Sequence, residues 1–169
     1  SQDFAMRHPA GRLGMDLKKV SEVMRTGRQL RIAWQQETVR MVLVEHSQPG
    51  RRTGAVMLVD ERGRLCGLFT DSDLARLFEQ RRDQALDQPI RDVMTVNPTT
   101  TRSEVMLKEA VHLMSRRKLS ELPVIDSNGV PVGLLDITDV LQCVDVETDG
   151  ELPADQPLAE SVIQLARSA

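Results

Sequence analysis

Tyrosine is absent from this chain, and its aromatic side chains are confined to Phe4, Trp34, Phe69 and Phe78. So sparse a set offers no stacking platform for nucleic-acid bases. Cysteine occurs only as Cys66 and Cys143, with no Cys-x-x-Cys pair and no Cys/His cluster. That pattern lacks zinc-ligand spacing; it points to two reduced, buried, small apolar side chains, no metal, and a cytoplasmic protein. Charge of one sign is lacking as well: 22 basic against 25 acidic residues leave a net charge of −3. No long-range field draws such a chain to nucleic acid or to an anionic membrane. No apolar run reaches the roughly 20 residues of a membrane-spanning helix, and no secretory leader is visible. The chain opens "SQDFAMRHPAG" without an initiating methionine, and reads as a piece of a longer protein or as a chain carrying a cloning remnant.

What the chain has is a repeat. Its 169 residues are 40% hydrophobic and 28% charged, as in a soluble globular protein. With Asp73 set on Asp139, "AVMLVDERGRLCGLFTDSDLARLF" (55–78) falls on "ELPVIDSNGVPVGLLDITDVLQCV" (121–144) without a gap. Upstream, "VSEVM" (20–24) matches "IRDVM" (90–94), and the first copy is four residues longer between these anchors. The turn-rich "HSQPGRR" (46–52) is the natural place for the extra residues.

Each copy predicts the same order of elements. A short helical turn comes first, then an extended piece near Ile32 or Thr100. A helix follows, carrying Val39, Val42 and Leu43 in one copy and Leu107, Ala110, Val111 and Met114 in the other; these spacings put apolar groups on one face. "AVMLV" and "LPVI" read as short buried strands, Asp-x-x-Gly as a tight turn, and "RLCGLF" and "VPVGLL" as the second strands of hairpins. "DSDLARLFEQ" and "ITDVLQCV" close the units as helices. A single unit of about 60 residues is marginal for a stable core, so two copies are expected to bury their sheets against each other about an approximate twofold axis. The fold class is therefore α+β.

The doubled pattern resembles the cystathionine β-synthase (CBS) domain, which occurs in tandem as a Bateman module. The "V-x-x-V/I-M" start, the "P-V-apolar-D-x-x-G" hairpin and "G-x-x-T-x-x-D" carry the likeness over about residues 20–145. The resemblance implies βαββα repeats, adenosine nucleotides or related ligands bound in clefts between them, and regulation of an attached protein. The segment ahead of the first repeat narrows it further. "HP-x-G-x-LG", as His8, Pro9, Gly11, Leu13 and Gly14, leads into "VSEVMRTG" (20–27). That junction is similar to the one in bacterial arabinose-5-phosphate isomerases, where a sugar-isomerase (SIS) domain precedes a CBS pair. The implied division is 1–19, SIS tail; 20–81, first repeat; 86–146, second repeat; 147–169, linker and short helix. The implied parent interconverts D-ribulose 5-phosphate and D-arabinose 5-phosphate on the way to the lipopolysaccharide sugar Kdo. His8 would be catalytic in that parent alone, and the present chain, without the sugar-phosphate pocket, is expected to be inactive and to need no cofactor.

Thr70 and Asp73 lead the candidate ligand set. A carboxylate can accept hydrogen bonds from the two adjacent hydroxyls of a ribose, and a helix N-terminus beside it favours anionic groups. Thr and Asp are also ordinary helix caps. In the second copy Asp136 replaces the Thr, beside Asp139. Two carboxylates there would repel a phosphate, so that site is expected to be empty or altered. The resemblance puts a basic residue two positions before the hairpin's "PV", but this chain has Glu121, and Ala55 in the other copy. Lys118 and Ser120, just upstream, complete the candidate set, with Arg116 and Arg117 reading as a solvated helix end. AMP or a sugar nucleotide such as CMP-Kdo are the expected ligands, the latter by pathway logic. The apolar face of Val39, Val42 and Leu43 holds more than one core needs, which predicts a homodimer of CBS pairs. Three functions stay open: the regulatory module of an isomerase, working with its SIS domain; a stand-alone nucleotide sensor; and a ligand-free dimerisation module.

Overall fold

A computed structural model of the chain describes residues 15–47 and 54–145. His8, most of the 46–52 loop, and the tail with the helix expected from Pro157 lie outside the described residues.

The first repeat opens with a 3-10 turn at Val20–Glu22, followed by β1 (Ile32–Trp34) and helix α1 (Val39–Glu45). The hairpin β2 (Ala55–Val59) and β3 (Leu65–Thr70) leads into helix α2 (Asp71–Glu79). A short 3-10 segment, Asp83–Asp87, joins the repeats. The second repeat opens with a 3-10 turn at Ile90–Asp92 and β4 (Thr95–Val96). Helix α3 (Leu107–Arg117), β5 (Glu121–Ile125), β6 (Pro131–Asp136) and helix α4 (Ile137–Asp145) complete it. The strand expected near Thr100 is reduced to one parallel bridge between Thr101 and Val124.

The two hairpins are built alike because the same residues make the same local bonds. In the first turn Asp60 Oδ1 accepts from the N–H groups of Arg62 and Arg64, at 2.9 and 3.0 Å. In the second, Asp126 Oδ1 accepts from those of Asn128 and Val130, at 2.8 and 3.0 Å. Gly63 and Gly129 take φ of +74° and +81°, a region that favours glycine. Each hairpin also carries a register shift at its matching place, Leu58/Val59 and Val124/Ile125.

The repeats are not independent, because each lends the other its opening segment. Strand β4 of the second repeat pairs antiparallel with β3 of the first, Leu68 opposite Thr95, giving a sheet in the order β1-β2-β3-β4. The mirror contact is a bridge between Arg25 and Leu134 on β6, with N···O distances of 2.8 and 3.1 Å. Val20, Val23 and Met24 accordingly pack into the core of the second repeat, and Ile90, Val93 and Met94 into that of the first. Val20 and Ile90 are fully buried; each such side chain contributes about 1.5–3 kcal/mol by leaving water. A third cluster joins the two sheets, Ala55, Met57 and Leu68 meeting Leu134.

The exchange explains two motif positions at once. A side-chain carbon at Gly67 would run into Met94, and one at Gly133 into Met24 and the carbonyl oxygen of Arg25. The "V-M" of each opening turn and the Gly of the opposite hairpin are therefore two halves of one contact.

Two details differ from expectation. Val39 and Val42 are spent in the first repeat's own core, and the apolar groups that α1 exposes are Met41 and Val44. The free Cys66 and Cys143 are half-buried and not fully enclosed. Burial, then Asp60, pushes the Cys66 thiol pKa up, which keeps it protonated and unreactive. Among the described residues no helix is long and apolar enough to cross a membrane.

Candidate functional site

The first site forms where β3 runs into α2. Thr70 is the N-cap: its Oγ1 accepts from the Asp73 N–H at 3.3 Å, while Asp73 Oδ2 accepts from the Thr70 N–H at 2.8 Å. The Thr70 hydroxyl also donates to Asp73 Oδ2 at 3.1 Å. This reciprocal box satisfies donors that a helix start leaves unpaired. The second oxygen, Asp73 Oδ1, accepts from Arg76 at 3.2 Å, and the Arg76 side chain is 60% exposed. The two predicted residues are thus together at one helix N-terminus, with one carboxylate oxygen committed to the backbone and the other paired with an exposed arginine. Half-buried Arg31, just before β1, adds a cation near Asp71; burial pulls its pKa down and Asp71 holds it up.

The second site is built on the same plan with different chemistry. Asp136 Oδ1 accepts from both the N–H and the hydroxyl of Thr138, at 2.8 and 2.6 Å, and so performs the capping that Thr70 performs in the first. Arg25, from the borrowed opening segment, lies across it. Its Nε donates to Asp139 Oδ2 at 2.7 Å, one terminal nitrogen donates to Thr138 Oγ1 at 3.3 Å, and the other lies 3.6 Å from Asp136 Oδ2. Arg25 and Asp136 are both buried, at 7% exposure each. Arg25 thus sets a cation beside the two carboxylates that the sequence brings together, so they do not stand uncompensated. Ser120 lies beside this second helix start, where its carbonyl accepts from the Ile137 N–H at 2.9 Å. Lys118 is exposed and closes α3 in a left-handed conformation.

Glu121 lies between the two sites. It stands opposite Asp136 across β5 and β6, and a side-chain carbon at Gly54 would lie 2.9 Å from Glu121 Oε1 and 3.6 Å from Asp71 Oδ2. Burial is the main force on it, reinforced by Asp136, Asp71 and Asp73 and opposed by Arg25; together they push its pKa to about 7. Glu121 therefore holds its proton to a higher pH than an ordinary glutamate, so its negative charge depends on pH near neutrality.

Sequence reasoning missed Arg25, Arg31 and Arg76. For Arg25 a signal was present. In the repeat alignment Arg25 falls on Thr95, and Asp136 falls on Thr70. Two departures of opposite charge, both in the second site's residues, mark a pair once the exchange of opening segments is known. Away from both sites, Glu37, Glu45 and His46 bring potential ligand atoms within 4.8 Å of one another. They are partly or fully exposed, and acidic groups so placed are commonly just solvated.

Comparisons with known proteins bear on both the fold and its relatives. A family model described as the CBS domain matches residues 14–80 and 90–145. The chain is 36% identical over 143 residues to the arabinose 5-phosphate isomerase KdsD of Pseudomonas aeruginosa, covering 84% of this chain and 43% of that protein. It is 34% identical over 142 residues to the arabinose 5-phosphate isomerase GutQ of Escherichia coli K12, covering 83% and 43%. The chain thus spans less than half the length of these curated relatives. The solved structure of CBSX2 in complex with AMP superposes with a TM-score of 0.61 at 24% identity, over 73% of this chain and 93% of that one. The duplicated hairpins, the exchanged openings and these matches place the chain in the CBS domain family, as a tandem pair related to the CBS portion of arabinose 5-phosphate isomerases.

Proposed function

We propose that this chain is the regulatory CBS pair of a sugar-phosphate isomerase and takes a nucleotide or sugar nucleotide at its first site. The parent would interconvert D-ribulose 5-phosphate and D-arabinose 5-phosphate for Kdo and lipopolysaccharide synthesis, with His8 acting in its SIS domain. The identity to two such isomerases supports the parent. The observation that carries the site is the asymmetry between the two helix N-termini. Asp73 Oδ1 meets an exposed arginine from its own helix, whereas Asp139 Oδ2 meets a buried one from the other repeat, the two carboxylates themselves being 11% and 14% exposed. In this reading Asp73 Oδ1 takes the ribose hydroxyls, and Arg76 and Arg31 supply the positive charge that Glu121 does not.

The test is calorimetric titration of the chain with AMP, ATP, CMP and CMP-Kdo. At least one is expected to bind, and Asp73→Ala is expected to weaken it 10- to 100-fold, the effect of losing a charge-assisted hydrogen bond worth about 1.5–3 kcal/mol. Equal affinity in a folded Asp73→Ala protein would remove Asp73 from the site. No binding of any of the four would favour the ligand-free structural reading, which the full use of Asp73 Oδ2 in capping also supports.

Self-association is part of the same proposal. Met41 and Val44, 47% and 66% exposed on α1, are the apolar groups left for a second copy. Sedimentation equilibrium at micromolar concentration is expected to return a dimer mass; a monomer mass there would sink this part.

A further inference from the structure

The geometry points to Arg25 as a resident cation that occupies the second site, so that the CBS pair has one ligand site where its duplicated fold provides two. This rests in part on the reading of the first site above.

The two sites differ in which arginine pairs with the aspartate. In the first site the partner is Arg76, on the same helix, three residues on, with a side chain 60% exposed. Here the arginine is solvated although the Asp73 side chain is only 11% exposed, so Arg76 can swing into water when a ligand hydroxyl takes its place. In the second site the partner is Arg25, 114 residues away in sequence, with a side chain 8% exposed. Its backbone is hydrogen-bonded to Leu134 in both directions, which fixes its Cα beside β6. It holds Asp139, Thr138 and Asp136 at once. These are the counterparts of Asp73, Ser72 and Thr70. The position equivalent to Arg25 in the first site is Thr95, short and exposed. Arg25 and Asp136 therefore act as a matched set: the acid that would repel an anionic ligand is the acid that retains the arginine.

The test converts the second site into a copy of the first. In Arg25→Thr/Asp136→Thr one positive and one negative charge leave together, so Asp139 remains with no change in net charge. Titration with AMP and with CMP gives the stoichiometry, and cooperative thermal unfolding establishes that each variant is folded. Arg25→Ala/Asp136→Ala serves if the threonine pair does not fold. The parent is expected to bind one nucleotide per chain and the double variant two, with the added site lost on a further Asp139→Ala. Asp73→Ala added to the double variant is expected to leave the added Asp139-dependent site in place, which separates this inference from the reading of the first site. A folded double variant with no added site overturns the inference, as does a parent that already binds two nucleotides with one lost in Asp139→Ala.

Discussion

Replacing Arg25 by alanine is expected to cost about 3–5 kcal/mol of folding stability, the usual penalty for stranding one side of a buried ion pair. The loss of attraction is the smaller part. Asp136 and Asp139 have side chains only 9% and 14% exposed, and without the guanidinium two carboxylates would face each other and Glu121 in that space. The opening turn would also lose the side chain that fastens it to the second repeat, whose core it completes through Val20 and Met24. Against a total of about 5–15 kcal/mol for a domain, the effect is large enough to shift the urea midpoint well beyond error. A double-mutant cycle sharpens it. Asp136→Ala added to Arg25→Ala should restore part of the loss, because it removes one of the stranded charges. A drop of less than about 1 kcal/mol in Arg25→Ala, against the range for broken buried pairs, would mean that water reaches the pair freely.

Glu121→Gln is expected to make the protein more stable above neutral pH, by as much as about 3 kcal/mol at pH 8. The carboxyl titrates at about 7 in the folded chain against an ordinary value of 4.5. At about 1.4 kcal/mol for each tenfold change in proton affinity, that gap sets the magnitude. Below pH 4.5 both states hold the proton and the group has no unfavourable effect. Between 4.5 and about 7 the unfolded chain gives up a proton that the folded chain keeps, so stability falls as pH rises. Above that window both states are ionised and the loss is complete. Glutamine keeps the shape without the titration. Urea unfolding of both proteins from pH 4.5 to pH 8 should therefore show curves that diverge, the variant lying higher on the alkaline side. Parallel curves would show that Glu121 is well solvated. The same charge lies near Asp71 and Asp73, so a nucleotide phosphate at the first site would meet a more negative surface as pH rises through 7.

Much of this protein was legible without coordinates, because the relevant interactions are short-range. Helix faces follow from the three-and-four spacing of Leu107, Ala110, Val111 and Met114, all of which are buried. The hairpins follow from Asp-x-x-Gly, in which one aspartate oxygen takes two nearby N–H groups. The capping of α2 follows from Thr70 and Asp73, three residues apart. Duplication itself disclosed the pairing of two small cores, since one unit buries too little surface to stand alone. None of these required knowing which segment lies next to which. The exchange of opening turns did, because "VSEVM" is contiguous in sequence with the repeat it does not complete. Only the folded chain brings Arg25 to Asp139 across 114 residues, and only burial makes that contact strong and the charge of Glu121 conditional. Local pattern thus marked the second site as different through Asp136, and tertiary packing, which alone sets distance and dielectric between remote charges, supplied the buried partner that compensates it.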